Sequence, residues 1–212
     1  MWPESEQTER LLDGVRRGDA QAAGSLLERH REALRRMIAM RLDRRIQGRV
    51  DASDVVQDVL IDANRRLQMY LDNPTMPFHL WLRHLARDRI IDAHRRHRAS
   101  ARRSVDREQP AVVPARLDHS TVELVAQLRD EQLTPAAAAT MRELEQRFAL
   151  AVEQLEEQDR EVVLMRHFEQ LSNQEVAQAL GLSEPAASMR YLRAMRRLRK
   201  LLAASDPGAS GS

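Results

Sequence analysis

The 212 residues carry 34 basic and 32 acidic side chains, a formal net charge of +2, so no chain-wide positive field marks a nucleic-acid binder. That length holds one or two modest cores. With no cysteine, disulfides and thiolate metal sites are excluded. No apolar run approaches the roughly 20 residues of a membrane span, and MWPESEQTER lacks a signal-peptide core, so a soluble, cytoplasmic protein with no membrane partner is expected.

In chain order, helix patterns dominate and strand patterns are nearly absent. Asp19 is placed to cap a helix in which Leu27, Leu34, Ile38 and Leu42 share a face, with Leu26, Ala33, Met37 and Met40 beside them. Ser53 or Asp51 caps a second helix through VVQDVLIDANRRL. Pro74 and Pro77 then break the chain before a third helix, FHLWLRHLARDRIIDAHRRHR. Residues 99–120 are polar, contain prolines and lack periodicity, as a linker does. A short helix fits TVELVAQLRDEQ, and Thr134 followed by Pro135 opens another through AAAATMRELEQRFALAVEQL. Three further helical segments precede the frayed SDPGASGS.

Charge is sorted by segment. Residues 83–103 hold eight arginines against two aspartates, net +6, and residues 183–200 hold six basic side chains against Glu184, net +5. Residues 51–64 hold four aspartates and no base. The second basic segment follows a capping box, Ser172 with Glu175, which opens a short helix to Leu180. Gly181 supplies a turn, and Ser183 caps the next helix with Pro185 in its first turn. Helix, glycine turn, helix is the helix-turn-helix layout.

At about 100° per residue, Ala187, Tyr191, Ala194, Leu198 and Leu201 share one face of that last helix, while Ser188, Met189, Leu192, Arg193 and Arg196 share the opposite one. The first set is expected to bury and the second to enter a major groove. There Arg193 can fork onto guanine, Ser188 can read either type of base edge, and Leu192 or Met189 can touch a thymine methyl. Arg190, Arg197 and Arg199 flank the face at phosphate positions. A solvated arginine-rich helix is the bland alternative, disfavoured by the capping box, the glycine turn and the clean separation of faces.

In the acidic helix, Val55, Val56, Val59, Leu60 and Ala63 form an apolar arc, and Asp54, Gln57, Asp58 and Ile61 lie opposite it. An isoleucine set among carboxylates suits a protein contact; an ordinary solvated face is the alternative. DASDVVQDVLIDA resembles region 2.2 of the sigma-70 factors, and FHLWLRHLARDRIIDAHRRHR resembles regions 2.3 and 2.4. EQDREVVLMRHFEQLSNQEVAQALGLSEPAASMRYLRAMRRLRKLL resembles region 4. Two such blocks joined by a linker, with nothing like regions 1.1 or 3, is the pattern of the extracytoplasmic-function (ECF) group.

The resemblance implies an all-α fold of two small helical domains joined by a flexible linker. The sigma region 2 domain spans 1–103, the linker 104–134, the region 4 domain 135–203 and a disordered tail 204–212. It implies a promoter-specificity subunit that binds core RNA polymerase, recognises minus-35 and minus-10 elements and promotes melting; a helix-turn-helix regulator that never binds polymerase is the alternative. Asp54, Gln57 and Asp58 occupy the D-x-x-Q-[ED] positions that, with Ile61, contact the β′ clamp helices; the β flap, promoter DNA and an anti-sigma factor are the further partners implied. LDNPTMP, with Asn73, Thr75 and Met76, occupies the loop that receives a base flipped from the non-template strand.

Phe78 and Trp81 are the aromatic groups nearby, although Trp81 aligns with Leu85 four residues on, which favours core packing. Arg87, Asp88, Arg95 and Arg96 fall on the minus-10 helix. Asp88 stands where the family has asparagine; an ionised carboxylate donates no hydrogen bond and repels phosphate, so pairing with Arg87, Arg89 or Arg95 is its alternative role. Ser188, Met189, Arg190, Leu192, Arg193, Arg196 and Arg197 are the minus-35 candidates. Asp88 with Asp92, and His94 with His97, have metal-ligand spacing, but the surrounding arginines repel a cation. With neither a phosphate-binding loop nor a nucleophile elbow in the sequence, no metal, cofactor or enzymatic activity is expected.

Overall fold

The computed structural model describes residues 2–42, 51–101 and 148–204, and among these every regular element is helical. The chain divides into two compact units, Met1–Pro114 and Ala115–Ser212. The expected linker over 104–134, the short helix in 121–132, the cap at Thr134 and the tail beyond Ala204 lie outside the described residues.

In the first unit, α1 spans Ser5–Arg16, α2 Ala22–Ala39, α3 Ala52–Asp72 and α4 Phe78–Ala101. Helix α1 has no counterpart in the sequence reading, because Leu11, Leu12 and Val15 are its only aliphatic residues and make too thin a stripe to show a period. It is held by a close approach: a Cβ on Gly14 would lie 2.9 Å from the Ala22 Cβ, so only glycine lets α1 and α2 pack this tightly. Asp19 does not cap α2 as expected. Its carboxylate accepts from the Gln21 N–H at 2.9 Å, and the helix begins at Ala22 with no side-chain cap. Asp51 rather than Ser53 caps α3, accepting from the Ser53 N–H at 2.8 Å.

Helix α3 packs against both α2 and α4. Leu26, Leu34, Met37 and Ile38 of α2 meet Val55, Val56, Val59, Leu60 and Ala63 of α3 and Leu82, Leu85 and Ala86 of α4 in one buried cluster. Burial of each large aliphatic contributes about 1.5 to 3 kcal/mol. Asp62, itself buried, spans α3 and α4: its carboxylate accepts from Arg66 one turn on and from Arg89 across the interface, both at 2.9 Å. His94 donates from Nε2 to the Arg41 carbonyl at 3.2 Å, tying α4 to the end of α2.

At the other end of α4 the core becomes aromatic. Tyr70 stacks on Trp81 with ring centroids 4.8 Å apart, Phe78 meets Tyr70 edge-on at 5.5 Å, and His30 meets Phe78 edge-on at 5.1 Å. Trp2 covers His30 from the chain's beginning.

In the second unit, helical backbone over 148–153 leads to α5, Glu157–Val163, which runs into a π-helical turn, Leu164–Phe168. Helix α6 spans Asn173–Leu180 and α7 Glu184–Ala204. Helix α7 packs on α5 and α6, burying Ala187, Ala194 and Leu198 with Val162, Met165 and Val176. The π turn opens a hydrogen-bonding register that ends at Gln170, whose φ of +57° turns the chain toward α6.

His30 gives the first unit a pH dependence. It is fully buried, with Nδ1–H donating to the Leu26 carbonyl at 2.9 Å and Nε2 lacking a hydrogen-bond partner. Burial, outweighing that bond, lowers its pKa from 6.5 to about 4. An unfolded chain takes up the proton at 6.5 and the folded one near 4, so this stability is full above pH 6.5 and is lost as pH falls toward 4. Trp2 and Trp81, the only tryptophans, both lie in this unit. Tryptophan-detected urea unfolding should lose on the order of 2 kcal/mol between pH 7 and pH 5, and His30→Leu should flatten that slope.

Candidate polymerase and nucleic-acid interfaces

The packing of α3 on two neighbours leaves one direction open to solvent. Asp54, Gln57 and Asp58 are exposed there, and Ile61 is 44% exposed although it is a large aliphatic. The whole opposite arc, Val55, Val56, Val59, Leu60 and Ala63, is buried. Ile61 also borders an open groove of about 470 Å³ between α2 and α3, with Leu27 and Leu60 among its apolar lining and Gln57, Glu28, Arg31 and Arg65 among its polar lining. Sequence periodicity cannot find this groove, because four of its nine lining residues come from α2.

The loop between α3 and α4 begins at Asn73, whose φ of −147° and ψ of 77° leave the helical region. Asn73, Pro74 and Thr75 are exposed and Met76 is half-buried. Phe78, read as an aromatic group beside this loop, is 3% exposed and belongs to the core, its ring held among Tyr70, His30 and Trp81. Trp81 is half-buried and stacked on Tyr70.

The basic run along α4 does not form one surface. Arg83 is buried and Arg89 is engaged by Asp62. Arg87, Asp88, Arg95 and Arg96 are exposed. Asp88 makes no ion pair among the described residues; Arg95 pairs with Asp92 at 3.0 Å instead. Ile91, not singled out from the sequence, is 52% exposed at helical spacing from Arg87, Asp88 and Arg95.

In the second unit the helix-turn-helix is built from local chemistry. Ser172 Oγ accepts from the Glu175 N–H at 3.2 Å while the Glu175 carboxylate accepts from the Ser172 N–H at 2.7 Å, a complete capping box. Gly181 ends α6 with a φ of +63°, and the Leu182 N–H returns to the Ala177 carbonyl at 2.9 Å. Asn173 Nδ2 donates to the Glu184 carbonyl at 3.0 Å, fixing the start of α7 against the start of α6.

This arrangement buries Ala187, Ala194 and Leu198 and exposes Met189, Leu192, Arg193, Arg196 and Arg197. Two members of the expected inner face, Tyr191 and Leu201, are only half-buried. The Tyr191 hydroxyl is hydrogen-bonded to His167 Nε2 at 2.7 Å, and the Arg166 guanidinium lies 5.7 Å over the same ring. Burial and then Arg166 lower the His167 pKa to about 4, so the imidazole is neutral near pH 7. Ser188 is half-buried, and Arg190 is half-buried and hydrogen-bonded to Gln158 of α5. Neither is as open as the sequence suggests.

A family model of sigma-70 region 2 matches residues 26–100, and one of sigma-70 region 4 matches residues 145–198, together more than half of the chain. The chain belongs to the sigma-70 family. It is a promoter-specificity sigma factor, with most of α2, all of α3 and nearly all of α4 in the region 2 match and α5 to most of α7 in the region 4 match. Among solved structures, CnrH in complex with the cytosolic domain of CnrY is similar at 24% identity over 92% of this chain and 97% of that one, with a TM-score of 0.57. The sigma factor RpoE in complex with the anti-sigma factor NepR from Bartonella quintana is similar at 22% identity over 83% and 93%, with a TM-score of 0.52. These likenesses show the same fold. No curated protein matches the chain significantly.

The region 4 turn of this sigma factor depends on glycine, since a Cβ at positive φ crowds the backbone. Gly181→Ala should destabilise the second unit by about 1 to 2 kcal/mol. Amide hydrogen exchange should quicken in α6 and α7 and stay unchanged in α2, α3 and α4.

Proposed function

We propose that this sigma factor docks on core RNA polymerase through the exposed arc of α3 and sets the promoter by two DNA contacts, with the two-domain organisation of the ECF group. Asp54, Gln57, Asp58 and Ile61 meet the β′ clamp helices. Three polar side chains supply charge and hydrogen bonding for a basic or polar partner surface, and Ile61 supplies a desolvated anchor. The loop of Asn73, Thr75 and Met76 takes a base extruded near minus 10. Arg87, Arg95 and Arg96 neutralise phosphates beside it, with Asp88 and Ile91 on the same helix. Met189, Leu192, Arg193 and Arg196 read the minus-35 major groove while Arg190 and Arg197 contact its backbone and Ser188 a base edge. Nucleotide addition is left to the polymerase core.

The observation that carries this reading is the exposure of all four α3 residues opposite a fully buried arc. A regulator using only its helix-turn-helix has no use for an isoleucine displayed among carboxylates on a second domain. The CnrH and RpoE structures are complexes with the cytosolic domain of CnrY and with the anti-sigma factor NepR. They support an anti-sigma factor as a further partner of this chain.

Because the four residues point away from the core, changing them should leave the fold intact. Asp58→Arg opposes a basic partner, and Ile61→Ala removes an anchor worth about 1 to 2 kcal/mol. The double variant should lose at least about tenfold in core-polymerase affinity while keeping its melting temperature. Unchanged affinity in a binding titration would make the arc mere solvated surface.

A further inference from the structure

We propose that Tyr70 is a positioning residue, its hydroxyl latching the loop between α3 and α4 in the shape that receives an extruded promoter base. This deepens, and rests on, the role proposed above for that loop. Tyr70 Oη donates to the Met76 carbonyl at 2.9 Å, joining the last turn of α3 to the far side of the loop. The donor's direction is set by packing: Tyr70 is 7% exposed, with Trp81 stacked on its face and Phe78 against its edge. Turning the ring would break that aromatic layer. Burial raises the phenol's pKa, so the group stays a neutral donor near pH 7.

The loop is short, and two of its residues give no backbone donor. Pro74 and Pro77 lack N–H groups, and the Pro77 carbonyl is taken by the Leu80 and Trp81 N–H groups at 3.0 and 3.1 Å, which open α4. Asn73, Pro74 and Thr75 form an exposed rim. The latch thus lies beneath the part of the loop open to a ligand and leaves that rim unobstructed. Extruding a base costs a few kcal/mol of stacking and pairing, which a pocket recovers best when it is already shaped before the base arrives. A core side chain that fixes a loop carbonyl supplies that shape.

Tyr70→Phe keeps every ring contact and removes only the hydroxyl. With core polymerase and a promoter that this chain initiates from, the substitution should slow open-complex formation about fivefold, the effect of one net hydrogen bond, read as permanganate reactivity of melted thymines. Closed-complex affinity and core-polymerase affinity should stay unchanged. A companion variant replaces residues 73–76 with glycine and serine. If that variant impairs opening while Tyr70→Phe does not, the latch is overturned and the loop keeps its role. Unaltered permanganate reactivity in both would remove the base-pocket role and the latch with it. Equal losses of closed-complex and open-complex formation by Tyr70→Phe would assign the hydroxyl to the fold alone and overturn the proposal.

Discussion

Helix α3 is packed on two sides at once, and that constraint decides what the rest of the first unit can present. Its 3.6-residue period puts Val55, Val56, Val59, Leu60 and Ala63 into a core shared with α2 and α4. Only one outward direction then remains, and Asp54, Gln57, Asp58 and Ile61 occupy it. The same packing fixes α4, because the buried carboxylate of Asp62 holds Arg89 across the interface. Removing either partner would leave a poorly hydrated charge. The helix that carries the acidic arc is therefore joined to the helix that carries the exposed Arg87, Arg95 and Arg96, and the loop between them is braced by the aromatic layer beneath.

The second unit reaches a binding face by other means. Among the described residues, local devices fix the geometry of the helix-turn-helix: the Ser172–Glu175 capping box, the positive φ of Gly181 and the Asn173 bond to the start of α7. Behind the exposed face, Tyr191 is anchored to a neutral His167 and lies under Arg166. Met189, Leu192, Arg193 and Arg196 are thus presented by a helix held at its start and at its middle.

Much of this was legible in the sequence because it obeys local rules. The periods of α2, α3 and α7, the break at Pro74 and Pro77 and the capping box each depend on residues within a turn or two, and they appear where those rules put them, except that Tyr191 and Leu201 of α7 are only half-buried. What stayed hidden is non-local. Helix α1 is too thinly apolar to declare itself and forms because Gly14 lets it approach Ala22. Asp62 reads as one more carboxylate of an acidic run until Arg89 is brought against it, 27 positions along. A count of charge over residues 83–103 does not say which arginines face outward; helical geometry turns Arg83 inward and leaves Arg87, Arg95 and Arg96 outside. Phe78 resembled a base-contacting aromatic by proximity to the loop, yet its direction sends it to His30 and Tyr70. The π turn ahead of Gln170 and the His167–Tyr191 bond have no sequence signature.

The proposed docking role of the acidic arc and the proposed DNA contacts of α7 have a joint purpose only if the chain delivers polymerase to promoters. Run-off transcription from a library of random promoter sequences, with core RNA polymerase and this chain as the sole specificity subunit, tests that directly. Transcripts should arise well above core polymerase alone and should enrich two motifs at one fixed spacing, one for each unit. Transcription no higher than that of the core enzyme, with the chain still binding DNA, would contradict it.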